Sequence, residues 1–134
     1  MKDKIRNIIE KEINAIRNMP IDGISQVAID LIHKAVHVDG GKLVISGMGK
    51  AGQIGVNIAT TFSSTGTPAI FIHPSEAQHG DLGMIQQNDI LFVISNSGKT
   101  REIIELTHLA KGLYPHIKIV SLSGKTETEL SSLS

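Results

Sequence analysis

ILFVISNSGKTREIIELTHLA, residues 90–110, changes texture twice. It opens on an unbroken run of Ile, Leu, Phe and Val, which suits a strand buried on both faces better than one with a solvated face. It then crosses a Ser/Asn/Gly cluster. Beyond Thr100, the residues Ile103, Ile104, Leu106, Leu109 and Ala110 recur at helical spacing, and Gly112 marks the close of that helix. A doubly buried strand feeding a helix through a short polar turn is half of a βαβ unit.

The same alternation recurs outward from this stretch. KLVIS (42–46) precedes a helix carrying Ile54, Ile58, Ala59 and Phe62 and closed near Gly66, while AIFIH (69–73) and IKIVSLS (117–123) supply two further strands. The chain therefore predicts an α/β fold on a mainly parallel sheet. The link HPSEAQHGDLGMIQQND (73–89) reads as loop with one helical turn. Upstream, Ile5, Ile8, Ile9, Ile13 and Ile16 lie between charges and predict an amphipathic helix over residues 2–18, ended by Pro20 and Gly23. A second helix, from Asp22 or Ser25, places Ile24, Ala28, Leu31, Ala35 and Val38 on one side and stops at Gly40 and Gly41. An isoleucine stripe of this kind needs a partner surface, for which another subunit is a candidate.

With 134 residues the chain has the length of one domain, 1–134, and with 40% apolar and 19% charged residues it can bury a core. Thirteen basic residues balance thirteen acidic ones, so the electrostatic footprint of a nucleic-acid or anionic-membrane binder is missing. Any anion must be captured locally. There is no cysteine for a disulfide or thiolate metal site, and no apolar run of membrane-spanning length. A cytoplasmic location is expected, with no nucleic-acid or membrane partner.

In open parallel sheets ligands gather beyond the carboxyl ends of the strands. The first such loop, SGMGKAG (46–52), matches G-x-G-x-x-G at Gly47, Gly49 and Gly52, but the next strand ends at His73, Pro74 and Ser75 rather than at the acid a dinucleotide ribose needs. SNSGKT (95–100) and SGKT (123–126) are not Walker A loops, because the required upstream glycine is Val93 in one and Ile119 in the other. What SNSGKT does offer is hydroxyls and free amides at a helix start, the chemistry that receives a phosphate monoester. His33 and His37 share a helix face without the glutamate of a zincin, and no metal site is expected.

GMGKAGQIG (47–55), FSSTGTPAIFIHPSEAQHGDLGMI (62–85) and NDILFVISNSGKTREI (88–103) together resemble the sugar isomerase (SIS) domain family, in its arabinose-5-phosphate isomerase (KpsF/GutQ-like) branch. The resemblance runs from about Lys42 to Gly124. It implies a three-layer αβα sandwich, flavodoxin-like or Rossmann-like, with a five-stranded sheet and two leading helices. It also implies a homo-oligomer, dimer or tetramer, with sites shared between subunits. The implied reaction interconverts D-arabinose 5-phosphate and D-ribulose 5-phosphate through an enediol, at the entry to biosynthesis of Kdo, an acidic sugar of lipopolysaccharide and capsules. No cofactor is needed for it.

Carried over by motif, Lys50, His79 and Glu102 are the candidate catalytic residues. Such an isomerisation needs a base, a second acid–base group at the oxygens and a positive charge for the enediolate. The phosphate is expected at Ser46, Ser95, Ser97 and Thr100, with Ser64 and Thr65 on the rim. The branch usually has serine at position 51, histidine at 53 and glutamate at 99, where this chain has Ala51, Gln53 and Lys99. The family's fifth strand, a later site histidine and the paired CBS domains of the branch do not follow, so the domain is expected to be incomplete at its C-terminus. Two alternatives stay open. One is a non-catalytic module sensing a sugar phosphate or a sugar nucleotide such as CMP-Kdo; the other is an isomerase for longer sugar phosphates.

Overall fold

In a computed structural model, residues 1–19 and 25–134 are described. Four parallel strands form the sheet: β1 (Leu43–Gly47), β2 (Ala69–Phe71), β3 (Ile90–Ile94) and β4 (Lys118–Leu122), in the order β2-β1-β3-β4. β1 and β3 pair along their full lengths, Leu43 opposite Ile90 and Gly47 opposite Ile94. The helices are α1 (Lys2–Arg17), α2 (Gln26–His33), α3 (Lys50–Ser64), α4 (Pro74–Ala77), α5 (Arg101–Leu113) and α6 (Glu129–Leu133).

Side chains on successive strand residues point to opposite faces, and the core divides accordingly. Leu43, Ile45, Ile90 and Ile94 pack with Ala35, Val36 and Ala59 beneath α2 and α3. Val44, Leu91, Val93 and Ile119 pack with Ala77, Ile103, Leu106 and Leu130 beneath α4, α5 and α6. The expected three-layer sandwich is the observed one. Its described residues hold four strands rather than five. α1 belongs to neither layer; none of its residues is buried, and Ile5, Ile8, Ile9 and Ile16 are exposed.

Several local expectations are corrected. The predicted stops Pro20 and Gly23, and a second-helix start at Asp22 with Ile24 on its inner side, lie outside the described residues. Ser25 caps α2, its hydroxyl accepting from Ala28 N at 3.3 Å. The helix then widens into a π-turn, Lys34–Val38. A π-turn closes on the fifth residue rather than the fourth, and the extra residue rotates the face. Val36 is buried, whereas Val38 is exposed. In α3 the inner face is Gly52, Gly55 and Ala59, with Ile54 in solvent, because the helix lies too close to the sheet for larger residues. In α5 the buried position falls to Thr107, whose hydroxyl donates to Ile103 O at 2.8 Å, while Leu109 is exposed and the helix runs past Gly112 to Leu113. The 73–89 link holds two short turns, α4 and a 3₁₀ turn at Asp81–Met84. Glu129–Leu133 forms α6, opened by a reciprocal cap between Thr128 and Ser131.

Candidate active site

The chain leaves β1 through α3 toward β2 and leaves β3 through α5 toward β4, in opposite directions along the sheet and over opposite faces. The loops after β1 and β3 are therefore neighbours at the switch point, where α/β sheets bind ligands. Two glycines of the first loop answer to packing. A Cβ on Gly52 would meet Gly47 O at 2.6 Å, and one on Gly47 would meet the Ala51 backbone. Gly47 and Gly52 thus let α3 press against β1, while Gly49 serves the turn with φ 60°.

The second loop is built around Ser95, buried at 2% exposure. Its hydroxyl accepts from Gly98 N at 3.1 Å and shares a 2.7 Å hydrogen bond with Thr100 Oγ1. Ser97 is exposed and accepts from Lys99 N at 3.2 Å. Thr100 stands just before α5, at its N-cap, but its side chain caps none of the first-turn amides, which an α-helix leaves without internal partners. Gly98 has φ 64°, a left-handed conformation, and its missing side chain makes room for that of Thr128. Leu130 N donates to Gly98 O at 3.3 Å and Gly124 N to Asn96 O at 3.2 Å, so the segment after β4 holds the loop in place.

The other expected phosphate hydroxyls are elsewhere. Ser46 is fully buried and donates to Ile72 O at 2.9 Å, which ties β1 to the chain leaving β2 and consumes its hydroxyl. Ser64 ends α3 and Thr65 caps it; both hydroxyls bond to Thr61 O, and Thr65 also reaches Phe62 O. α3 starts at the ligand edge and runs back along the sheet for about 22 Å. Within this chain, therefore, Ser64 and Thr65 sit at the opposite end from Ser95–Thr100.

His79 and Glu102 are brought together. They line one cleft of 210 Å³ with Ser75, Gln78, Arg101 and Glu105, between the loop after β2 and the first turns of α5. Lys50 is not in it. It starts α3 and lines a separate 460 Å³ cavity with Ile94, Asn96, Leu122, Ser123 and Gly124 on the α3 side of the sheet. Glu105 is the residue the sequence reading missed. Its carboxylate accepts from Arg101 Nε and from Gln78 Nε2, each at 2.7 Å. The Arg101 and Gln78 hydrogen bonds hold the carboxyl of Glu105 below its ordinary pKa, and the same partner raises that of Arg101. The i,i+4 spacing of Arg101 and Glu105 was a readable signal; the bond to Gln78, 27 residues away, was not. His73 has a buried Nδ1 with no hydrogen-bond partner among the described residues.

A sequence profile of the SIS domain matches residues 38–134. The chain belongs to the SIS domain family. Curated relatives of this SIS chain include proteins named arabinose 5-phosphate isomerase KdsD. That of Shigella flexneri is 48% identical over 91 residues, covering 68% of this chain and 27% of the relative. That of Yersinia pestis is 51% identical over 90 residues, covering 67% and 27%. The SIS chain thus spans about a quarter of the length of these relatives. A crystal structure from Bacteroides fragilis NCTC 9343, described as a candidate phosphosugar isomerase involved in capsule formation, is 54% identical with a TM-score of 0.95, covering 98% of this chain and 69% of that one. An E. coli CFT073 protein in complex with arabinose 5-phosphate is 34% identical with a TM-score of 0.83, covering 98% and 70%. No helix among the described residues is long and apolar enough to cross a membrane.

Proposed function

We propose that this SIS domain holds the phosphate of a sugar phosphate at Ser95–Thr100 and that its protein isomerises D-arabinose 5-phosphate to D-ribulose 5-phosphate. The observation that carries the reading is the meeting of His79 and Glu102 in one cleft at the start of α5, next to the Ser95–Thr100 turn. A helix start attracts an anion through its amides and dipole. The hydroxyls of Ser97 and Thr100 and the amides of the first turn are the donors within reach of it. Names of relatives at 46–51% identity, and the arabinose 5-phosphate complex of the E. coli structure, point to the same substrate class.

The chemistry then follows from the groups present. The sugar opens to its aldehyde, and His79 assists as acid–base partner to the ring oxygen. Glu102 takes the proton from C2; the C2–H electron pair forms the C1=C2 bond, the C1=O1 π pair moves onto O1, and His79 protonates O1 to give the enediol. Glu102 returns its proton to C1, the C1=C2 π pair forming the new C1–H bond, while His79 takes the proton of the C2 hydroxyl, which leaves the C2 carbonyl of the 2-ketose. A positioned base of this kind contributes roughly 10²–10⁴-fold. Lys50, which lines the separate cavity on the α3 side, is given no part in these steps. The wider setting, entry to Kdo biosynthesis in a cytoplasmic homo-oligomer, belongs to the same proposal.

The separate cavity of Lys50 favours a second reading, in which the domain senses a sugar phosphate or sugar nucleotide without converting it. A coupled assay of the protein with arabinose 5-phosphate, beside Glu102→Gln, separates the two. Turnover lost in the variant with phosphate binding retained supports the isomerase. Saturable binding with no exchange of the C2 proton into solvent supports the sensor.

A further inference from the structure

We infer that Glu105 is a positioning residue: it staples the loop bearing His79 to the helix bearing Glu102 and so sets the gap in which the sugar reacts. The inference rests on reading the cleft as the isomerase site. Gln78 immediately precedes His79, and Arg101 immediately precedes Glu102; Glu105 grips both, one with each carboxylate oxygen. The loop's backbone bonds near His79 are local, His79 N to Glu76 O at 2.9 Å and Gly80 N to Ala77 O at 3.5 Å. They shape the turn without reaching α5. Buried Ala77 fixes the base of the loop against Ile103 and Leu106. The Gln78–Glu105 bond carries that anchorage one residue further, to the edge of His79.

Glu105 also occupies Arg101. Without it the guanidinium is free to turn into a cleft built to hold an anionic sugar, where a carboxylate or phosphate oxygen would capture it. A neutral amide at 105 cannot accept from both donors with two equivalent oxygens. Reacting groups tolerate little displacement, and a shift of about 1 Å costs up to roughly 10²-fold in rate.

The test makes Glu105→Gln and Gln78→Ala, singly and together, in the whole protein. We expect each single variant to lower kcat for arabinose 5-phosphate by about tenfold or more, with KM changed less than about threefold, and the double variant to be no worse than the worse single. Unchanged kcat in Glu105→Gln, or losses that multiply in the double variant, overturns the staple. Imidazole ¹H–¹⁵N spectra of Glu105→Gln supply a readout independent of turnover, with His37 and His116 as internal references. A displaced His79 resonance beside unmoved references supports the staple, and an unmoved His79 overturns it. Should the unaltered protein turn over no sugar phosphate, the isomerase reading falls while the spectra still judge the staple.

Discussion

Substituting Gly98 by alanine probes the turn on which phosphate capture depends. At φ 64° an L-residue sits in the left-handed region, at a cost of about 1–2 kcal/mol. The new methyl group would lie inside the space of the Thr128 side chain, as close to its Oγ1 as to its carbons; overpacking of that kind costs about 1–3 kcal/mol. Together these predict a loss of roughly 2–5 kcal/mol. If the turn moves to escape, it gives up the bonds from Gly98 N to Ser95 and from Leu130 N to Gly98 O. Either way, inorganic phosphate binding should weaken at least tenfold. Thr128→Ala alone removes the α6 cap, worth about 1 kcal/mol, yet in the Gly98→Ala background it also relieves the clash. The double variant should therefore be less destabilised than the sum of the singles. Urea unfolding gives the stabilities and calorimetry with phosphate the affinities. A Gly98→Ala protein within about 0.5 kcal/mol of the parent, binding phosphate equally well, would refute the reasoning.

Asp89→Ala removes a carboxylate whose side chain is 1% exposed and which accepts from Lys42 N, Lys42 Nζ and Gln86 N. It should cost about 3–5 kcal/mol in urea unfolding, while KM is unchanged, because Lys42 and Asp89 precede β1 and β3 at the edge away from the cleft. Ser46→Ala leaves Ile72 O without the hydroxyl that bonds to it and should cost about 1–3 kcal/mol, with phosphate affinity by calorimetry within twofold of the parent. Because Arg101 and Gln78 depress the folded-state pKa of Glu105 below the ordinary 4.5, its contribution to stability is present above 4.5 and is lost as pH falls through the lower folded value. Urea midpoints measured below pH 5 should accordingly decline less steeply in Glu105→Gln than in the parent.

How far the sequence could be read follows from the range of each interaction. The strands announced themselves because residues 43–45 and 90–94 are apolar on both faces, and a parallel sheet followed from a helix between each outer pair of strands. Local spacing also carried the reader to Ser95–Thr100, where several hydroxyls meet a helix start. It misled at Ser46, since nothing near a strand-terminal serine tells whether its hydroxyl faces a ligand or, as here, the carbonyl of Ile72. It misled again at Val38 and Leu109, where a π-turn and a back-bonding threonine shift the buried face. The glycine motif was visible but not its cause, the approach of Gly47 to Gly52. Thr128 and Gly98 are 30 positions apart, so only the folded chain shows that the tail secures the turn.

A crystal structure of the protein with arabinose 5-phosphate tests the central claim most directly. Phosphate oxygens should lie within about 3.2 Å of the Ser97 or Thr100 hydroxyl and the first amides of α5, with C1 and C2 of the sugar between His79 and Glu102. A phosphoryl group bound at the far end of the sheet by Ser64 and Thr65, with the turn of Gly98 in contact with solvent alone, would contradict it.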